Sequence, residues 1–252
     1  MIAKEPRSSE STHWYTRDGS PMYTVEAVKG GQRPTTLRDA RKLNLVPSVT
    51  TVLNVAAKPG LNVWLQRQVL LAALTLPKVA NETEEVFIER IIEDSKEQAR
   101  AAADAGTDIH ASIQGFYEGR VVTTHETHVK SCVREIEDYF GMQPWISERS
   151  FAHELGYGGK VDLHSPNGIV VDIKTKEFFD LSKVDAYDEH LIQLSAYRVG
   201  LGMPDARGAN VFVSRSKPGL VKIVEWTEED LQRGWKMFVA LLTFWQLKNK
   251  HS

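Results

Sequence analysis

The stretch Gly158-Gly-Lys-Val-Asp-Leu-His-Ser-Pro-Asn-Gly-Ile-Val-Val-Asp-Ile-Lys174 decides how this chain reads. Polar and apolar residues alternate over Lys160–His164 and again over Val171–Lys174, and Pro166-Asn167-Gly168 between them is turn chemistry. The pattern predicts two antiparallel strands joined by a short loop. With a loop of those three residues, Asp162 falls opposite Asp172. Side chains alternate between faces along a strand, so Asp172 and Lys174 share one face.

Opposed residues in a strand pair lie about 4.5 to 5.5 Å apart at Cβ. Two carboxylates at roughly 5 Å repel by about 3 kcal/mol at an effective dielectric of about 20. That is a large part of the roughly 5 to 15 kcal/mol that holds a typical domain together. A divalent cation held by both oxygens would offset the repulsion and leave Lys174 free to touch a reacting group. An Asp-x-Lys triplet by itself is also compatible with the ordinary alternation of a solvated hairpin face.

Further motifs occur in order along the chain. Gly159-x-x-Asp162 is followed, after nine residues, by Asp172-Ile-Lys174-Thr-Lys176 and then by Gln193-Leu-Ser-Ala-Tyr197. Upstream lie Pro47-Ser-Val-Thr-Thr-Val-Leu53 and Gly106-Thr-Asp-Ile-His110. In this set, which spans roughly residues 47 to 226, the chain resembles the PD-(D/E)xK nuclease superfamily. The closest likeness is to its RecB-type exonuclease branch, in the form of a standalone, phage-like or prophage-like nuclease. Val161 stands where the superfamily's name has proline, a replacement common in this branch. The four cysteines that hold an iron-sulfur cluster in some members are not present, since Cys132 is the one cysteine, and no cluster is expected.

The resemblance implies an α/β fold, with a central mixed β-sheet flanked by helices as a restriction-endonuclease-like core and a helical N-terminal half. It implies Mg²⁺ or Mn²⁺ held by Asp162 and Asp172, with His110 and the backbone carbonyl of Ile173 as further ligands. Lys174 would orient or activate water, and Gln193 and Tyr197, four residues apart on one helix face, would position the strand. Outside the family pattern, a lone histidine such as His110 reads as a structural group, and Tyr197 as packing against the sheet. Glu148, on an alternating stretch that precedes the hairpin, is either a further carboxylate of the site or a surface glutamate. Ser48, Lys58, Trp64, Arg67 and Lys176 are candidate nucleic-acid contacts, although Trp64 serves equally as core.

Around these motifs the chain of 252 residues, 42% hydrophobic, reads as one nuclease domain with enough apolar material for a core. Residues 1–35 are expected to form an arm, loose to about residue 12, and a hairpin turning at Asp18-Gly19 and packed by Trp14, Tyr15 and Tyr23. Residues 36–141 form a helical region and 142–252 the catalytic core. Helices are expected from Thr36 to Asn44, from Ser48 to Ala57 and from Trp64 to near Pro77. Another helical stretch runs from Glu82 to Gly119 with a break at Gly106-Thr107, and a further helix spans His125 to Phe140. Ala186–Leu201 reads as a helix, Ala209–Ser214 and Leu220–Trp226 as strands, and Thr227 as the cap of a closing helix to Leu247.

The formal charge of −2 argues against general coating of nucleic acid but permits a local basic groove around a metal-filled acidic site. No apolar signal region or membrane span is evident, and a single cysteine suits a reducing cytosol, so a cytoplasmic location is expected. No Gly-x-x-x-x-Gly-Lys-Ser/Thr loop occurs, which excludes an ATP motor of that type. The expected activity is metal-dependent DNA exonuclease, with DNA ends as substrate and a recombination or replication protein as a possible partner. The alternatives are a structure-specific endonuclease and a catalytically inactive DNA-binding module; the complete Asp, Asp and Lys set speaks against the latter.

Overall fold

The structure, a computed structural model, describes residues 13–251; the expected loose arm at the start of the chain lies outside them. The fold is built on a five-stranded mixed sheet in the order β5-β6-β7-β8-β9. These strands are Ile146–His153, Tyr157–Ser165, Ile169–Lys176, Arg207–Ser214 and Val221–Trp226. The first three form an antiparallel meander, β7 and β8 run parallel, and β9 returns antiparallel to β8.

The β6–β7 loop is Pro166-Asn167-Gly168. Leu163 pairs with Val171 and Ser165 with Ile169, and Gly168 closes the turn at φ +85° with its N–H on the Ser165 carbonyl. A left-handed glycine at this position is what a three-residue hairpin loop requires. A parallel β7–β8 pair needs a crossover, and the chain supplies α6 (Asp188–Gly200).

Alternation along β7 sorts the layers. Val170 joins a core made with α1 (Leu37–Leu43), α2 (Val49–Leu53), α6 and α7 (Glu228–Asn249). Ile169, Val171 and Ile173 join a second core on the opposite face with α4 (Glu84–Tyr117) and α5 (Glu126–Phe140). Asp172 and Lys174 therefore project toward α6. The small elements at the front are β1 (Trp14–Tyr15), β2 (Thr24–Glu26), β3 (Gln32–Pro34), β4 (Val46–Pro47) and α3 (Pro59–Thr75). Among the described residues, no helix is long and apolar enough to cross a membrane.

Four local expectations change. Glu84–Tyr117 is one uninterrupted helix of 34 residues, with no break at Gly106. A Cβ at Gly106 would lie 2.5 Å from Thr175 Oγ1, so this glycine lets α4 cross close over β7 instead of ending the helix. The turn at Asp18-Gly19 brings Tyr15 into a bridge with Pro21, but β1 makes its ladder with β4, and Trp14 packs edge-on to Trp245 and His251 near the end of α7. The hairpin of this region is instead β2–β3. Finally, α3 begins at Pro59 and α2 ends at Leu53; proline opens a helix well because the first turn has no use for its missing N–H.

Candidate active site

The β6–β7 ladder stops at Leu163–Val171, one pair short of Asp162 and Asp172, and the two strands fork. At the fork, Asp162 Oδ2 accepts the Ile173 N–H at 2.7 Å, standing in for the missing ladder bond. The alternation of β6 also breaks here, because Val161 belongs to the α6–α7 core and Leu163 to the α4–α5 core. Glu148, which the β5–β6 register places opposite Asp162, sits at φ +55°, a left-handed conformation that a non-glycine residue adopts only under local constraint. It is ion-paired with Lys160.

From the other side, α4 lowers His110 onto the fork, with Nε2 3.2 Å from Asp162 Oδ2. One ligand atom each from His110, Glu148 and Asp162 lie within 4.8 Å of one another. An imidazole nitrogen with two carboxylates is a donor set suited to a divalent cation such as Mn²⁺ or Mg²⁺.

Asp172 is adjacent but differently engaged. It is 1% exposed, and its Oδ1 accepts from Lys174 Nζ at 3.0 Å and its Oδ2 from Asn210 Nδ2 at 2.8 Å. Asn210 stands directly across the parallel β7–β8 register and is itself held by Trp226 Nε1 at 2.7 Å on its Oδ1. An ionised carboxylate has about four lone-pair directions, so both oxygens retain capacity toward a cation.

Lys174 Nζ also donates to Gln193 Oε1 at 2.9 Å, and Gln193 Nε2 donates to the Tyr197 hydroxyl at 2.8 Å. Gln193 and Tyr197 are buried: Gln193 holds Lys174 at the edge of a cavity, and Tyr197 holds Gln193 from behind. Gly159 makes room for this relay: a Cβ there would lie 2.9 Å from both the Tyr197 and Phe151 rings.

The electrostatics follow from burial and proximity. Burial and the Asp162 charge raise the Asp172 carboxyl above its ordinary range, against the pull of Lys174. For Asp162, burial is outweighed by His110 and Lys174, and its carboxyl is held low. His110 is raised, chiefly by Asp162 and against burial. Lys174 is pulled down by burial but raised on balance by Asp172 and Asp162, so it stays an ammonium. An ammonium donates hydrogen bonds and positive charge; it does not abstract protons.

The expected nucleic-acid residues divide. Lys58 lines a cavity of 260 Å³ together with Lys174, Gln193 and His190. Lys176 lies 4.6 Å from the centre of the Tyr187 ring. Trp64 is half-buried and Arg67 exposed along α3, and neither lines that cavity. Ser48 is 3% exposed and spends its hydroxyl capping α2, accepting from the Thr51 N–H at 3.0 Å, so it is not available to a strand. Asn210 escaped sequence reasoning; its one signal was an amide in the middle of the apolar run Ala209–Val213.

No family model matches the chain, and no curated protein does. Among solved structures, it is similar to a Eubacterium rectale protein provisionally assigned as an exonuclease, at 14% identity and a TM-score of 0.43, over 59% of this chain and 69% of that one. It is also similar to the protein SSO0001, at 16% identity and a TM-score of 0.31, over 71% and 85% of the two chains. Likenesses of this extent define neither a family nor an activity for this chain.

Proposed function

We propose that this chain is a metal-dependent deoxyribonuclease of the PD-(D/E)xK kind, degrading DNA from its ends, with residues 1–252 forming one nuclease unit. The observation that carries the reading is the convergence of His110, Glu148 and Asp162 within 4.8 Å of one another, beside a buried Asp172 that grips Lys174. His110, Glu148, Asp162 and Asp172, with the carbonyl of Ile173, would hold Mg²⁺ or Mn²⁺. The cation would supply Lewis-acid polarisation of the scissile phosphate and a more acidic bound water.

The chain's own groups do the remaining work. Asp172 and Gln193 aim the Lys174 ammonium into the cavity where a phosphate would sit, and Tyr197 fixes Gln193 from behind. A positive charge held there before the reaction stabilises the charge that builds on the phosphoryl oxygens.

Helix α4 crosses close over β7 and carries His110 to the site, and Lys58, at the start of α3, borders the cavity at Lys174; a site covered on one side in this way favours entry of a strand by its end. The test is incubation of covalently closed circular DNA, single-stranded and duplex, beside the same molecules linearised, with Mg²⁺ or Mn²⁺. Linear molecules should be degraded and circles spared. Circles cut as fast as linear DNA would replace this reading with an endonuclease, and no cleavage of either with any divalent cation would leave a binding module.

A further inference from the structure

The 260 Å³ cavity at Lys174 does not end there. It is lined by Thr50, Leu53, Lys58, Lys174, Glu189, His190 and Gln193, and a second cavity of 380 Å³ shares Lys58 and Glu189 with it and leads out past Ala57, Leu61 and Tyr187. Together they make a groove between the starts of α3 and α6, running from the proposed catalytic lysine to an exposed aromatic ring. We propose that this groove is a track for single-stranded DNA, in which Lys58 and His190 take a backbone phosphate next to the scissile one and Tyr187 stacks on a base. The inference rests on the nuclease reading and adds the form of DNA that the site accepts.

His190 is built for the inner position. Its Nδ1 accepts the Tyr187 N–H at 3.1 Å, which places the ring hydrogen of the neutral imidazole on Nε2. Nε2 finds no hydrogen-bond partner in Glu189, whose nearest oxygen is 3.9 Å away. Burial, followed by the charges of Lys174, Lys176 and Lys58, pushes the His190 pKa down to about 3, so the ring is a neutral donor at the convergence of three ammonium groups. Two of those ammonium groups, Lys58 and Lys174, line this cavity against one carboxylate, Glu189, and a backbone phosphate is the ligand that such a set of donors and charges suits.

The outer cavity has a different character. Ala57 and Leu61 are apolar, and its acidic residues are Asp188, which is paired with Arg233 at 3.4 Å, and Glu189. A neutral base fits there better than a phosphate. Tyr187 is 44% exposed even though Lys176 sits over its ring at 4.6 Å and the His190 ring centre lies 5.7 Å away, and the exposed part of the ring is the surface a base would use. In a duplex, the bases are paired and stacked on each other, and only unstacked bases of a single strand can use such a platform.

The test is fluorescence anisotropy in EDTA with a labelled oligodeoxythymidylate of about 15 residues, within the usual span of single-strand sites, against a blunt duplex of equal length. The single strand should bind more tightly. Tyr187→Ala should weaken its binding about 10- to 100-fold, the range of one lost base–aromatic stack, while Tyr187→Phe should not. Lys58→Ala should reduce the slope of log affinity against log salt by about 0.7, one single-strand phosphate contact. Equal binding of strand and duplex, or wild-type affinity in Tyr187→Ala, would overturn the track. Because EDTA removes catalysis from this measurement, the two readings fail separately. Cleavage of linear DNA with no Tyr187 effect would retain the nuclease and discard the track, and Tyr187-dependent binding without cleavage would do the reverse.

Discussion

Most of what Asn210 contributes to stability should depend on the Asp172 carboxylate. The Asn210 amide donates to an Asp172 oxygen in surroundings where the carboxylate is 1% exposed, so no water can replace the bond when the amide is deleted. A hydrogen bond to a charged group contributes about 1.5 to 3 kcal/mol. Trp226 Nε1 loses its acceptor as well, but this indole is half-buried and can turn to solvent, which adds roughly 0.5 to 1 kcal/mol. Asn210→Ala should therefore cost about 2 to 4 kcal/mol in otherwise wild-type protein. With Asp172→Ala already in place, the same change should cost only the Trp226 part, giving a coupling of about 1.5 to 3 kcal/mol. Urea unfolding of the wild type, both single variants and the double variant in EDTA measures this cycle. An Asn210→Ala cost that is the same in both backgrounds would refute the role assigned to the amide.

Lys174→Ala should abolish turnover while leaving Mn²⁺ affinity intact by calorimetry, since the ammonium touches Asp172 and Gln193 and is directed at phosphate; loss of metal affinity along with activity would make Lys174 a structural part of the site. Gly200→Ala should destabilise by about 1 to 2 kcal/mol net in urea unfolding, because a Cβ there overlaps the Phe151 ring at the end of α6, an overlap that costs roughly 2 to 3 kcal/mol and is only partly offset by the helix propensity of alanine, about 1 kcal/mol in its favour. Cys132 is buried, and burial pushes its thiol up to about 12, so a disulfide reagent at pH 8 should leave the native protein unlabelled and react fully once denaturant is added.

The elements legible in the chain were those whose cause is local. Period-two alternation with Pro-Asn-Gly between the strands gave β6 and β7 and their register, and Thr36 and Thr227 marked the starts of α1 and α7 by capping them as their neighbours require. The same alternation put Asp172 and Lys174 on one face, toward a helix carrying Gln193 and Tyr197. Other features depended on contacts between segments far apart in sequence. Gly106 reads as a helix breaker until Thr175 is known to pass beneath it, and a regular strand is the natural reading of Lys160–His164 until the fork at Asp162 and the left-handed Glu148 interrupt it. Asn210 gained meaning only from the parallel register that sets it across from Asp172. Lys58 and Trp64 look alike as basic and aromatic candidates six residues apart, yet only Lys58, at the start of α3, meets the start of α6. Propensity and turn chemistry act over a few residues and write themselves into the sequence as pattern, whereas a site assembled from α4, β5, β6, β7, β8 and α6 exists only once long-range packing has brought them together.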